Sequence, residues 1–140
     1  MPIDDLARSD VITATPDTPV PELARTMDEH DVGSVVITNG TEPVGIVTDR
    51  DLTTRVIAME RDPTDLPAER VMTEDLCLVD RREGFYRATE LMREHGVRRL
   101  PVCDDGGELV GIITADDMTE LLADEHQQLA EVIRTQRPPY

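Results

Sequence analysis

The chain has 140 residues, enough for one domain or two small subdomains, and with one Phe, two Tyr and no Trp its core must be aliphatic. Thirty Asp and Glu stand against 14 basic residues, every one an Arg, for a formal charge of −16; such a surface opposes nucleic-acid binding, which needs cations on phosphates, and suits a salt-rich, halophilic cytosol, where at about 1 M salt a screening length of about 3 Å mutes self-repulsion, with an ordinary acidic protein as the alternative. The start "MPIDDLARSD" lacks the basic and apolar stretches of a leader, and no apolar run nears the ~18 residues of a membrane span, so a soluble cytoplasmic protein without membrane insertion is expected.

The predicted elements follow in chain order. A short strand at "VITA" ends in the turn-formers "TPDTP". A helix comes next, with Val20, Leu23, Ala24 and Met27 at the i, i+3, i+4, i+7 spacing of one buried face. The strands "GSVVIT" and "VGIVT", joined by the turn "NGTE", read as an antiparallel hairpin, and a second helix starts at Asp49. "ERDPTDLPAER" is a charged, proline-broken connector. The order then recurs: strand "LCLV", a helix carrying Phe85, Ala88 and Met92 with Thr89 out of pattern, strand "RRLPVC", turn "DDGGE", strand "VGIIT" and a helix from Ala115. Along that last helix Met118, Leu121, Leu122, Leu129, Val132 and Ile133 form an apolar stripe interrupted by Glu125. Part of the stripe must pack on the repeats; the rest suggests a dimer contact or a partner helix, with intramolecular core as the alternative. "RPPY" reads as a loose end.

A shift of 65 residues lays "TMDEHDVGSVVI" on "LMREHGVRRLPV", matching Met27 to Met92, His30 to His95 and Val32 to Val97. One more residue in the second turn makes the shift 66, and Val44, Gly45, Ile46, Thr48 and Asp51 then match Val110, Gly111, Ile112, Thr114 and Asp117. The chain is therefore read as α/β (α+β): two tandem β-α-β-β-α repeats over residues 5–60 and 70–125, with a connector at 61–69 and a helix extension and tail at 126–140. Each half is too small to cover its own sheet, and packing the two pseudo-symmetrically through their sheets solves that.

Thr-x-x-Asp before an apolar helix is first of all a capping device. Three features add a second reading. The motif directly follows a strand, so its helix start, with free amides and the positive end of the dipole, favours an anion. Gly45 and Gly111 allow another group to approach the backbone closely. The duplication sets two such ends as a pair across a cleft. A carboxylate one turn into the helix suits vicinal hydroxyls, and the Thr hydroxyl suits a phosphate, so the pair reads as a nucleotide cradle. Cap and site can coexist.

With "GIVTDRDL" and "GIITADDM", "VMTEDL" opening the second copy and "HGVRRLPVCDDGGELVG" within it, the chain resembles tandem cystathionine-β-synthase (CBS) domains over about residues 5 to 125. The resemblance implies a stand-alone regulatory pair, homodimeric, needing no cofactor. It would bind an adenosine-containing ligand (AMP, ADP, ATP or S-adenosylmethionine) in up to two clefts and signal to a protein partner. It further implies that Asp51 and Asp117 hold ribose hydroxyls and that Thr48 and Thr114 face phosphate. Adenine would be lined by Ala7, Ile12, Val32 and Ile112 at the Asp117 site, and by Ile46, Met72, Cys77 and Val97 at the Asp51 site. Arg99 stands where such modules place a phosphate-binding arginine, opposite Ser34 in the first copy, and Arg50 stands opposite Asp116. Asp116 would repel phosphate unless Arg99 offsets it, so the Asp51 end is expected to tolerate phosphate better. Arg98 and Arg99 are adjacent on a strand and point to opposite faces, so one of them at most faces a given cleft. "DRREGFY" departs from the smoother helix entry of the family, which puts that end of the second copy in question.

No nucleophile–base pair, HExxH or Walker loop is present, so the chain is read as no enzyme. His30 and His95 occupy one position in two copies, which suggests a fold role; His126 has no partner at ligand spacing, and no metal site is expected. Cys77 and Cys103 form no metal set and read as buried free thiols. The alternative to a sensor is a ligand-free interaction module in which both motifs are caps only.

Overall fold

Alternating apolar residues in the hairpin strands and 3–4 spacing in the helices produce two copies of one arrangement in the computed structural model, which describes residues 1–139. The first copy holds β1 (Thr13–Ala14), α1 (Val20–His30), β2 (Ser34–Asn39), β3 (Glu42–Thr48) and α2 (Asp49–Leu52), which runs on through a π turn, Thr53–Ile57. The second holds β4 (Val79–Asp80), α3 (Phe85–His95), β5 (Arg99–Cys103), β6 (Leu109–Thr114) and α4 (Ala115–Gln136). The sheets are β1-β2-β3 and β4-β5-β6, each with a parallel pair followed by an antiparallel hairpin. Each hairpin carries a register shift at the same repeat position, between Ile37 and Thr38 and between Val102 and Cys103. Both first helices end on a left-handed residue, Asp31 at φ 52 and Gly96 at φ 63.

Each half has its own aliphatic core. In the first, Leu23 and Met27 of α1 meet Val35, Ile37 and Val47 of the sheet; in the second, Ala88, Leu91 and Met92 meet Leu100, Val102 and Ile113. Ala24, placed on the buried face by its spacing, is exposed, because the contact stripe of α1 is narrower than its apolar spacing suggests. Burying one such aliphatic side chain contributes about 1.5–3 kcal/mol, against about 0–1 for an exposed ion pair. The cores, not the seven ion pairs of the described residues, hold the halves together.

The halves are interlocked by exchanged segments. Ile3 is fully buried in the second core, and its amide donates to the carbonyl of Glu83 at 2.7 Å. The departure in "DRREGFY" is where this N-terminal segment docks: Asp4 N donates to Arg81 O at 3.0 Å, and Pro2 bridges Gly84. In return, Ala68 and Val71, ahead of β4, are buried in the first core, and Ala68 N donates to Thr18 O at 2.8 Å. Beyond Leu121 the apolar side chains of α4 turn to solvent, with Leu122 52%, Leu129 63%, Val132 51% and Ile133 62% exposed.

Candidate functional site

Each Thr-x-x-Asp motif sits at the end of a hairpin strand, and its helix start is tied down in the same way. Asp49 N donates to Gly33 O at 3.0 Å, and Ala115 N to Arg98 O at 2.8 Å. Asp51 N donates to Thr48 Oγ1, and Asp117 N to Thr114 Oγ1, both at 3.1 Å, so both threonines are caps. From that common frame the two ends diverge.

At the first end the capping box closes on itself. Thr48 N donates to Asp51 Oδ2 at 2.9 Å, and Arg50 N to Asp49 Oδ1 at 2.9 Å. With the amides of Asp49, Arg50 and Asp51 each given an internal acceptor, this helix start does not offer the free amides that the motif suggested. Asp51 also faces Arg55 one turn on, at 3.7 Å. The close approach allowed by Gly45 is taken by the chain itself: a Cβ there would lie 2.8 Å from Met72 Cγ. Ile46 and Thr73 hold that segment with reciprocal backbone bonds of 3.1 and 2.9 Å. Of the residues expected to line adenine here, Met72 packs on the first core, while Cys77 and Val97 pack on the second. Burial pushes the thiols of Cys77 and Cys103 up, and both are unbridged. Arg50 is exposed at this end.

At the second end a cavity of about 580 Å³ opens between the halves, within the roughly 300–1,000 Å³ usual for small-molecule sites. Ile12, Val32 and Val36 from the first half face Ile112, Thr114 and Asp117 from the second, with Arg8 also lining it. Arg98 and Arg99 both line it, against the expectation that one at most would, because Arg98 precedes β5 and strand alternation does not apply to the pair. Ile12, Val32, Ile112, Thr114, Asp117 and Arg99 are thus brought together. Ala7, the remaining residue expected here, packs against the second core. Gly111 again serves the chain's own segment: a Cβ there would lie 2.9 Å from Arg8 O and 3.2 Å from Ala7 Cβ. Arg8 and Ile112 exchange backbone bonds of 2.9 Å each.

The charges of this cavity are arranged, not merely collected. Arg8 grips Asp117, with Nη2 2.7 Å and Nε 3.2 Å from Oδ1 and Nε 3.3 Å from Oδ2. That bond, with Thr114 adding to it and partial burial opposing, holds the Asp117 carboxyl below the usual carboxylate range. Asp116, placed to repel an anion, is met by Arg98 at 2.9 Å. Arg99 forms no ion pair among the described residues and extends over Gly33, where a Cβ would lie 3.0 Å from its Nη2. The open, arginine-lined end is therefore the one at Asp117, whereas Arg50, opposite Asp116 in the repeat, pointed to Asp51. His30 lines the cavity, while His95 sets Nδ1 3.0 Å from Leu91 O. The residue that sequence reasoning missed is Arg8. The 65-residue shift sets it opposite Thr73, but nothing in that alignment points to Asp117, 109 residues away.

Two segments of the chain, residues 3–58 and 68–124, match the CBS domain. The chain belongs to the CBS-domain family, as a tandem pair. An uncharacterized protein of Methanopyrus kandleri is 39% identical over 85% of this chain and 61% of its own length. A CBS domain-containing protein of Bacillus subtilis is 32% identical over 83% of this chain and 81% of its own. The chain thus spans less than two thirds of the first of these relatives and most of the second. Among solved structures, a CBS domain protein of Pyrobaculum aerophilum complexed with AMP superposes with a TM-score of 0.76, at 28% identity, over 84% of this chain and 89% of that one. No helix of the described residues is long and apolar enough to cross a membrane.

Proposed function

We propose that this protein is a cytoplasmic regulatory sensor that takes an adenosine-containing ligand, an adenine nucleotide or S-adenosylmethionine, in the cleft at Asp117. One observation carries the reading: a cavity of about 580 Å³ joins an apolar wall (Ile12, Val32, Ile112) to a Thr-capped carboxylate and to Arg98 and Arg99. Adenine would lie against the wall, Asp117 would accept from the ribose hydroxyls, and Thr114 with Arg99 would face phosphate. The AMP complex of the Pyrobaculum relative supports the ligand class. The ligand bridges both halves, so it can favour one arrangement of them over another, which is what passing a signal to a partner requires. The exposed stripe of α4 suits a homodimer contact, and sedimentation of wild type against Leu129→Glu tests it. Calorimetry with AMP, ATP and S-adenosylmethionine tests the sensor reading: wild type gives heat with at least one ligand, and Asp117→Ala removes it. Silence of all three at millimolar concentration overturns the reading.

A second reading is favoured at the other end. The closed capping box at Asp51 and the packing of Met72 against Gly45 fit a purely structural motif there. For that half, the interaction-module alternative stands.

A further inference from the structure

Resting on the reading of Asp117 as the ribose carboxylate, we propose that Arg8 is a selectivity residue of this cleft: a resident cation that holds the carboxylate while the cleft is empty and that the ligand must dislodge. Both oxygens that a vicinal diol would use already accept from Arg8, at 2.7 to 3.3 Å. The arginine is pinned and free at once. Its backbone is fastened to Ile112 by two bonds of 2.9 Å, whereas its side chain is 65% exposed, so the guanidinium can swing without releasing the segment. The arrangement belongs to this half alone: Thr73 makes the matching backbone bridge to Ile46 and offers Asp51 no cation.

Dislodging Arg8 leaves a guanidinium at the mouth of a cleft that Arg98 and Arg99 also line. Asp10 and Glu120, on the same rim, keep it there. A phosphorylated ligand supplies the anion that Asp117 no longer provides, through charge-assisted hydrogen bonds. A neutral nucleoside supplies none, and a sulfonium brings a further positive charge. Arg8 thus acts against adenosine and S-adenosylmethionine and for adenine nucleotides.

Calorimetry with adenosine, ADP and S-adenosylmethionine on wild type, Arg8→Gln, Arg8→Lys and Asp117→Ala tests this. Arg8→Gln tightens adenosine by up to about fivefold, the span of an exposed ion pair, and weakens ADP, so that the ADP-to-adenosine affinity ratio falls by about tenfold. Arg8→Lys, which keeps the charge, retains most of the ratio. A ratio unchanged within about twofold in Arg8→Gln, with binding still lost in Asp117→Ala, overturns this inference and leaves the site reading intact. Wild type binding none of the three ligands overturns both.

Discussion

At Asp51 the carboxylate folds back on the amide of Thr48 and Met72 occupies the space over Gly45, whereas at Asp117 the carboxylate turns out to Arg8 before a cavity of about 580 Å³. The motif residues themselves, Gly, Ile, Thr and Asp, are the same at both ends. Both glycines are covered by another segment, Gly111 by the backbone of Arg8 and the side chain of Ala7 and Gly45 by the side chain of Met72; what differs is that residue 8 turns a cation to the carboxylate at the edge of the cavity, whereas residue 73 has none to offer. A duplicated motif therefore supplies a helix cap twice, and whether a cap is also a site is decided by its neighbour from elsewhere in the chain.

The largest expected effect separates the ends by a pair of substitutions. Asp117→Ala reduces adenosyl-ligand binding at least about tenfold, the loss of charge-assisted hydrogen bonds worth about 1.5–3 kcal/mol, while Asp51→Ala leaves it unchanged within about twofold; equal losses in calorimetry would erase the contrast. Next come the glycines. In Gly111→Ala the new methyl meets a backbone carbonyl that cannot move without freeing the N-terminal segment, whereas in Gly45→Ala it meets a methionine side chain that can turn aside. We expect Gly111→Ala to cost about 1–3 kcal/mol and Gly45→Ala less, with ligand affinity falling only in the former, as read by denaturant unfolding and titration.

The threonines sharpen the comparison further. Thr48→Ala and Thr114→Ala each cost about 1 kcal/mol of stability as lost caps, but only Thr114→Ala also weakens the ligand. The smallest effect is electrostatic. Because Arg8 lowers the Asp117 carboxyl, the pair adds stability above the ordinary aspartate range near about 3.9 and loses it as pH falls through the lowered value. With Arg8 65% exposed the gain is slight. NMR titration of Arg8→Gln should show Asp117 moving up toward the ordinary range.

Much of this was legible in the residues. The repeat, the hairpins, both helix starts and both caps follow from period, turn chemistry and the Thr-x-x-Asp spacing, all of which act within a few residues. The apolar wall of Ile12, Val32 and Ile112 was legible through the family resemblance. Arg8 was not, because it is a lone arginine in an acidic stretch and its partner lies 109 residues away. Nor was Met72's position over Gly45, since a methionine near an apolar run reads equally well as core or as pocket. The relief of Asp116 by Arg98 failed to register for a related reason: it pairs residues on two elements whose angle no local pattern specifies.

The exchanged segments bear on how the chain comes off the ribosome. At roughly 5–20 residues per second, the first core waits roughly 3–10 s between the emergence of Val20 and that of Val71, which completes it. Ile3 waits longer, roughly 5–22 s, until Leu100 and Ile113 exist to receive it. During that interval the segment carrying Arg8 has nowhere to dock. The cleft at Asp117 therefore assembles late, and no nascent chain that stops before Asp117 can offer it.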